Sequence, residues 1–427
     1  MMDNEPVEGI QLLAFNFVNR LVLRKFEEAS LEFDESMKAV FNAEKLGETW
    51  EKYVHDAGSL IQILPVKTAE MDGYTVVLIQ CEFQILKIDV QVVFNRQDQI
   101  SGLSFTPKNA VYNPPSYVDD ESFNEFEVTV GSGAWKLPGI LTIPNGKGPF
   151  KCVVLVHGSG PNDLDETIGP NKPFKDLAWG FASNGIAVLR YDKRTFAHSK
   201  ELTPEVVQKM TVKEEVVDDA ILALKILEEN DLIDSKSVFV LGHSLGATLT
   251  PRINENYDKI CGLIIMAGFT RSLEDVIFDQ FHYIYSLSGN ITADQMEDLE
   301  NLKQKVEHAK GELPETTLAT DLPLNIPVDY WKDLHNYDPL KTIEKLKSSV
   351  LILQGGRDYQ VSSEKDFKEW KRVLNQSNRA TFKLFPKLNH FFITGEGRSN
   401  PEEYMEEGHV DEEVIETICS WIKAHDC

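Results

Sequence analysis

Val238-Phe239-Val240-Leu241-Gly242-His243-Ser244-Leu245-Gly246-Ala247-Thr248-Leu249 is the stretch on which the reading of this chain turns. An unbroken apolar run leads to a serine set between two glycines, and residues suited to a helix follow. The pattern predicts a strand, a sharp turn and a helix, with Ser244 at the apex. Such a turn lifts a hydroxyl clear of a sheet, and glycines at 242 and 246 leave room where other side chains would collide. Alone the pentapeptide is a weak signal. Two glycines and a serine at this spacing arise by chance in roughly one chain in ten of this length. Its partners decide.

A serine hydroxyl attacks well only when a base takes its proton, and the base needs a carboxylate to hold its tautomer. On a strand–turn–helix scaffold the chain order is serine, acid, histidine. Val350–Leu353 reads as a late strand, and Gln354-Gly355-Gly356-Arg357-Asp358 follows it. Ala380–Phe385 reads as the next strand, and Pro386-Lys387-Leu388-Asn389-His390 follows that. Asp358 and His390 are therefore expected as orienting acid and general base. The blander readings, a helix cap for Asp358 and an ordinary loop residue for His390, do not account for this order. The remaining histidines stand elsewhere, with His157 and His243 in turns they would help to shape. An oxyanion hole needs two backbone N–H groups aimed at the developing charge. Leu245, next after the nucleophile, supplies one. His157-Gly158-Ser159-Gly160-Pro161, after the apolar run Val153–Val156, supplies the other, with Ser159 the first choice and Gly160 the second.

Outward from these motifs the chain divides. Residues 8–58 read as helical, with Ile10, Leu13, Phe17 and Leu21 on one face. Residues 74–105 alternate in the manner of strands, and the apolar phase slips between Ile85 and Leu86, where a bulge would restore one buried face. Residues 1–106 are thus expected to form a small α+β domain with no catalytic candidate. Residues 107–122, with Pro107, Pro114 and Pro115, read as a linker. From 123 to 427, short apolar runs alternate with helical stretches such as Val212–Glu229, the pattern of a parallel sheet buried on both faces. Residues 270–335 interrupt it and read as a helical lid insertion.

Composition sets limits. The chain has 427 residues, 42% of them hydrophobic, and a formal net charge of −25. Such a balance argues against nucleic-acid binding, which needs a basic face, and against an anionic membrane surface. No run of about 18 apolar residues suggests a membrane span. Five cysteines (Cys81, Cys152, Cys261, Cys419 and Cys427) show no paired spacing. Neither a disulfide framework nor a zinc site follows, and Cys152 and Cys261 read as buried thiols. With an acidic N-terminus unlike a signal peptide, this suits a reducing, cytoplasmic setting. No phosphate loop, dinucleotide fingerprint or metal-binding cluster is found, so no metal or cofactor is expected.

Taken together, Val156-His157-Gly158-Ser159-Gly160-Pro161-Asn162-Asp163, the run from Ile168 to Trp179, Leu189-Arg190-Tyr191-Asp192-Lys193-Arg194, Gly242–Gly246 and Tyr330-Trp331-Lys332-Asp333-Leu334 resemble a known group. The chain is similar to the α/β-hydrolase superfamily, specifically bacterial serine esterases of the dienelactone-hydrolase and serine-aminopeptidase type that carry a small N-terminal domain of unknown function. The resemblance covers about residues 125–425, and residues 8–106 more loosely. It implies an α/β-hydrolase fold, a mostly parallel sheet with helices on both faces. It also implies hydrolysis of short-chain carboxylic esters through an acyl-enzyme, with Ser244, Asp358 and His390 as triad and Ser159 and Leu245 as oxyanion donors. Tyr330 and Trp331 are offered as pocket aromatics from the insertion; anchoring of the lid to the core is their alternative. Pro251 should end or kink the helix after the nucleophile. The expected partner is a small-molecule ester, with self-association possible through the N-terminal domain. Competing functions are a peptidase or acyltransferase on the same triad, and a non-catalytic binding protein, against which the complete Ser–Asp–His set argues.

Overall fold

The computed structural model describes residues 9–54, 57, 60–71, 74–83, 86–109, 112–199, 201–287 and 289–426. The acidic segment before Gly9, His55, the phase slip at Ile85 and Cys427 lie outside them. The chain forms two compact units: Met1–Asn113 with Tyr404–Glu407, and Pro114–Glu403 with Gly408–Cys427.

In the first unit, helices Ile10–Val22, Phe26–Ser30, Glu35–Val40 and Ala43–Val54 precede an antiparallel meander. Its strands are β1 (Leu60–Met71), β2 (Tyr74–Phe83), β3 (Leu86–Phe94) and β4 (Ile100–Asn109), paired in sequence order. Phe17, Leu21 and Trp50 from the helices pack with Val77, Ile79, Val90 and Val92 from the strands. Two departures from the sequence expectation share a cause. β1 was not anticipated, and β4 runs past residue 106. Each contains a proline, Pro65 and Pro107, and each is an edge strand, where a residue without an N–H can be accommodated.

In the second unit the strands are β5 (Phe123–Val130), β6 (Leu137–Pro144), β7 (Phe150–Val156), β8 (Ala187–Tyr191), β9 (Ile233–His243), β10 (Gly262–Met266), β11 (Ser349–Gly355) and β12 (Ala380–Phe385). They form one sheet in the order β12-β11-β10-β9-β7-β8-β6-β5. β7 to β12 run parallel, and β5 and β6 are antiparallel. This is the α/β-hydrolase architecture that the resemblance implied. The apolar runs are continuous because both faces are covered. Val154, Val240, Ile265 and Ile352 pack on one side with the helices Asp219–Leu227 and Leu245–Asn256. Their neighbours Val153, Phe239, Ile264 and Leu351 pack on the other with Pro173–Ser183 and Glu412–Ala424. Alternation along a strand sends successive side chains to opposite cores.

The order reverses at β7, which lies between β8 and β9. Ligand crevices in open α/β sheets form at the carboxyl ends of strands where such a reversal occurs. Here Val156 of β7 pairs with Gly242 of β9, so the loops leaving both strands start level. Gly355 of β11 likewise pairs with Phe385 of β12.

Helices Leu273–Ser286, Ala293–Lys310 and Val328–His335 make up most of the insertion. It has its own small core of Ile277, Ala309, Leu313, Leu322, Val328 and Trp331. Among the described residues, no helix is long and apolar enough to cross a membrane.

Of the two outcomes expected of Pro251, an end to the helix is excluded, because the helix continues to Asn256. The carbonyl that Pro251 cannot bond belongs to Ala247, and the Thr250 hydroxyl donates to it at 2.9 Å. Cys261 is half-buried and disulfide-bonded, not a buried thiol. It stands just before β10 and so is not enclosed by both faces of the sheet. Cys81, Cys152 and Cys419 are free and buried.

Candidate active site

Ser244 sits where β9 meets the helix Leu245–Asn256, with φ 52° and ψ −115°. A residue with a Cβ rarely adopts this region, and strain of this kind is typical of a nucleophile turn. The flanking glycines are required by contact. A Cβ at Gly242 would lie 2.4 Å from the Gly246 backbone, and one at Gly246 would lie 2.3 Å from the Val156 carbonyl oxygen. Every other residue from Ser237 to Pro251 is buried, whereas Ser244 is partly open. It borders a cavity of about 230 Å³ together with Ser159, Glu166, Ile168, Gln360, His390 and Phe391.

Asp358 and His390 come together because their loops leave neighbouring strands. Gly355 and Gly356 allow the approach: a Cβ on them would fall 2.4 Å from the Asn389 carbonyl oxygen and 2.8 Å from Pro386. Asp358 Oδ2 lies 2.8 Å from His390 Nδ1. The same oxygen accepts from Gln354 Nε2 at 2.9 Å, while Oδ1 accepts the N–H groups of Gln360 and Val361 at 2.8 and 2.9 Å. The carboxylate is thus held by three fixed donors. It accepts the imidazole Nδ1 proton, leaving the Nε2 lone pair available.

The loop after β7 is held from several sides. Lys193 Nζ donates to the Gly158 carbonyl at 2.7 Å. Asn162 Nδ2 faces the carbonyls of Gly158, Ser159 and Gly160 at 3.2–3.3 Å. Successive carbonyls turned toward one side chain leave the intervening N–H groups free to converge on an anion. Leu245 is the first residue of its helix, so its N–H has no partner within the helix. Arg190, buried in β8, braces the stretch beyond, meeting Asp165 at 2.9 Å and Glu125 at 2.8 Å.

Tyr330 and Trp331 do not border the cavity. Trp331 is fully buried in the core of the insertion and donates to the Ile326 carbonyl at 3.2 Å. The Tyr330 hydroxyl donates to Glu215 Oε2 at 2.7 Å, which ties the insertion to the stretch before the helix Asp219–Leu227. Their role as pocket aromatics is therefore corrected to the anchoring alternative.

Glu166, Asn162, Lys193 and Gln354 were not anticipated. Glu166 is 4% exposed, with φ 51°. Its Oε1 accepts the Gly158 N–H at 2.7 Å, and its Oε2 lies 2.9 Å from His243 Nδ1. That second approach is too oblique for a hydrogen bond and is an ion pair. Burial opposes the Glu166 charge, but the His243 cation outweighs it and holds the carboxyl below its usual range. Burial also opposes the His243 charge; Glu166 in turn raises that group. The available sequence signal was a set of charges, Asp163 to Glu166 and Arg190 to Arg194, placed next to strands otherwise read as wholly buried.

His157, also buried, gives a pH prediction. Burial is the main reason that its pKa falls from 6.5 to about 4. The unfolded chain takes up a proton below 6.5 that the native protein refuses, so this group's contribution is complete above 6.5 and is lost as pH falls toward 4. At about 1.4 kcal/mol per unit, the loss amounts to roughly 3 kcal/mol. Thermal denaturation from pH 7 to 4 should show Tm falling more steeply for the wild type than for His157→Gln. Parallel curves would refute the assignment.

A family model described as serine aminopeptidase, S33, matches residues 148–396. The chain belongs to this family. A model described as a protein of unknown function, DUF3887, matches residues 14–103. Esterase EstD of Thermotoga maritima is 40% identical over 410 residues, covering 96% of this chain and 94% of its own. Among solved structures, Est1E from Butyrivibrio proteoclasticus is similar with a TM-score of 0.45 and 14% identity, over 70% of this chain and 99% of that one. Acylaminoacyl peptidase from Pyrococcus horikoshii is similar with a TM-score of 0.46 and 12% identity, over 87% of this chain and 57% of that one.

Proposed function

We propose that this S33-family enzyme is a serine carboxylesterase that hydrolyses short-chain esters through an acyl-enzyme. The observation that carries the reading is Ser244 in a strained turn, beside a cavity it shares with an imidazole already oriented by Asp358. The likeness to Esterase EstD over nearly the whole chain supports ester hydrolysis. Ser244 Oγ attacks the ester carbonyl as its proton passes to His390 Nε2. The N–H groups of Ser159 and Leu245 stabilise the oxyanion. His390 then protonates the departing alkoxide, and water repeats the sequence to release the acid.

The cavity favours small acyl groups. At about 230 Å³ it is below the usual range for drug-sized ligands, roughly 300–1,000 Å³. Each methylene it encloses contributes about 0.8 kcal/mol, and methylenes beyond its walls contribute nothing. kcat/KM should therefore rise from acetyl to butyryl or hexanoyl nitrophenyl esters and be far lower for palmitoyl. An optimum at long chains would make the enzyme a lipase.

The family description brings a second reading, an aminopeptidase. Such an enzyme needs a carboxylate to hold the free amine of its substrate. Glu166 borders the cavity, but Gly158 and His243 already engage both its oxygens. Aminoacyl anilides should accordingly be poor substrates in the same panel. Anilide turnover matching ester turnover would move the assignment to a peptidase.

A further inference from the structure

Ser244, His390 and Ser159 reach the cavity from three separate loops, and three loops need a common reference if their atoms are to stay in register. Ser159 lies in the loop after β7, Ser244 in the turn after β9, and His390 in the loop after β12. Asp358 orients the His390 ring but touches neither of the other two loops in the contacts described above. Glu166 does reach them.

We propose that Glu166 is a positioning residue that, through His243, fixes the oxyanion loop, the nucleophile turn and the base loop to one another. The proposal rests on the assignment of Ser244, His390 and Ser159 given above. Glu166 Oε1 takes the N–H of Gly158, the residue just before the proposed donor, at 2.7 Å. Glu166 Oε2 is 2.9 Å from Nδ1 of His243, the residue just before the nucleophile. His243 Nε2 donates to the backbone carbonyl of His390, the base itself, at 3.0 Å. One carboxylate and one imidazole therefore span all three loops.

The chemistry of each contact is determined. A carbonyl oxygen only accepts, so His243 Nε2 carries a proton. Nδ1 faces a carboxylate, so it carries the second, and the ring is an imidazolium balanced by Glu166. The charge sits close to the reacting groups, with the His243 and His390 ring centroids 4.6 Å apart. An imidazolium there without its counterion would oppose the positive charge that His390 acquires when it takes the serine proton. Glu166 cancels it. The loop is also pressed tight: a Cβ on Gly158 would lie 3.2 Å from Ser244 Cβ and 3.3 Å from Glu166 Oε1. Glu166 keeps a left-handed φ of 51° in this position, and such strain persists where surrounding structure imposes it.

A purely structural ion pair would change stability and leave turnover alone; a positioning pair must change turnover. Glu166→Ala removes the acceptor of the Gly158 N–H and the counterion of His243 together. A displacement of about 1 Å at reacting groups is enough for about 100-fold in rate. Glu166→Ala should therefore lower kcat about 100-fold, with KM within about threefold because the oxyanion exists only in the transition state. Glu166→Gln should recover kcat to within about tenfold of wild type. Its amide oxygen can accept from Gly158, and beside a neutral amide His243 goes neutral while still donating from Nε2, so no buried charge is left without a counterion. All rates would be measured on nitrophenyl butyrate, well below each variant's Tm. A folded Glu166→Ala enzyme with wild-type kcat overturns the proposal, as does a Glu166→Gln enzyme no better than Glu166→Ala. If Glu166→Ala does not fold, Glu166→Asp serves. It keeps the charge but is one methylene too short to meet both partners, and wild-type kcat in it overturns the proposal equally. Ser244→Ala is the control. Activity in Ser244→Ala would mean that the triad assignment has failed; an inactive Ser244→Ala beside a fully active Glu166→Ala would mean that only this inference has.

Discussion

Ser244→Ala is expected to lower kcat on nitrophenyl butyrate by about 10⁶-fold, and His390→Ala by a comparable factor, because nucleophile and base act as a unit. On the proposed mechanism the serine oxygen forms the acyl-enzyme and His390 takes its proton. The residual rate should come from the oxyanion donors and binding, which neither substitution touches. The fold should survive. Alanine keeps the Cβ that Ser244 already holds at φ 52°, so the strain of the turn is unchanged, and the backbone bond from residue 244 to the Met266 carbonyl remains. Circular dichroism and Tm should match wild type, while labelling by a fluorophosphonate should vanish. Labelling that persists in Ser244→Ala would place the nucleophile elsewhere.

Much of this site could be read from the chain because its signals are local. Gly242 and Gly246 flag the turn, since backbone at 2.3–2.4 Å leaves no room for a side chain. Successive residues such as Val153 and Val154 serve opposite cores, so strands buried on both faces show up as unbroken apolar runs. Asp358 and His390 could be placed because each lies within a few residues of the end of a late strand. What escaped depends on partners remote in sequence. Glu166 looks like a loop acid until Gly158 and His243 are seen around it. Tyr330 looks like a pocket aromatic until Glu215, more than a hundred residues earlier, takes its hydroxyl. Pro251 looks like a helix end until the Thr250 hydroxyl is found on the orphaned carbonyl. Edge position, which excuses Pro65 and Pro107, is a property of the sheet and not of either strand.

Asp358→Asn is expected to lower kcat by about 10⁴-fold with little change in KM. The substitution is nearly isosteric, so the effect must come from hydrogens. Oδ1 of Asp358 receives two backbone N–H groups, from Gln360 and Val361. The NH2 of an asparagine cannot sit opposite those two donors, so its amide oxygen must occupy the Oδ1 position. The NH2 is then forced into the Oδ2 position, 2.8 Å from His390 Nδ1. A donor there obliges Nδ1 to accept, which moves the imidazole proton to Nε2, the atom that must be empty to receive the serine proton. The ring stays in place in the wrong tautomer. Gln354 Nε2 loses its acceptor on residue 358 but keeps the Val361 carbonyl at 3.0 Å, so the loop should remain folded. Single-turnover acylation and steady-state kcat on nitrophenyl butyrate, measured beside Tm, check the prediction. A folded Asp358→Asn enzyme within about tenfold of wild type would show that another carboxylate orients His390, and the hydrogen-bond argument from Gln360 and Val361 would fall with it.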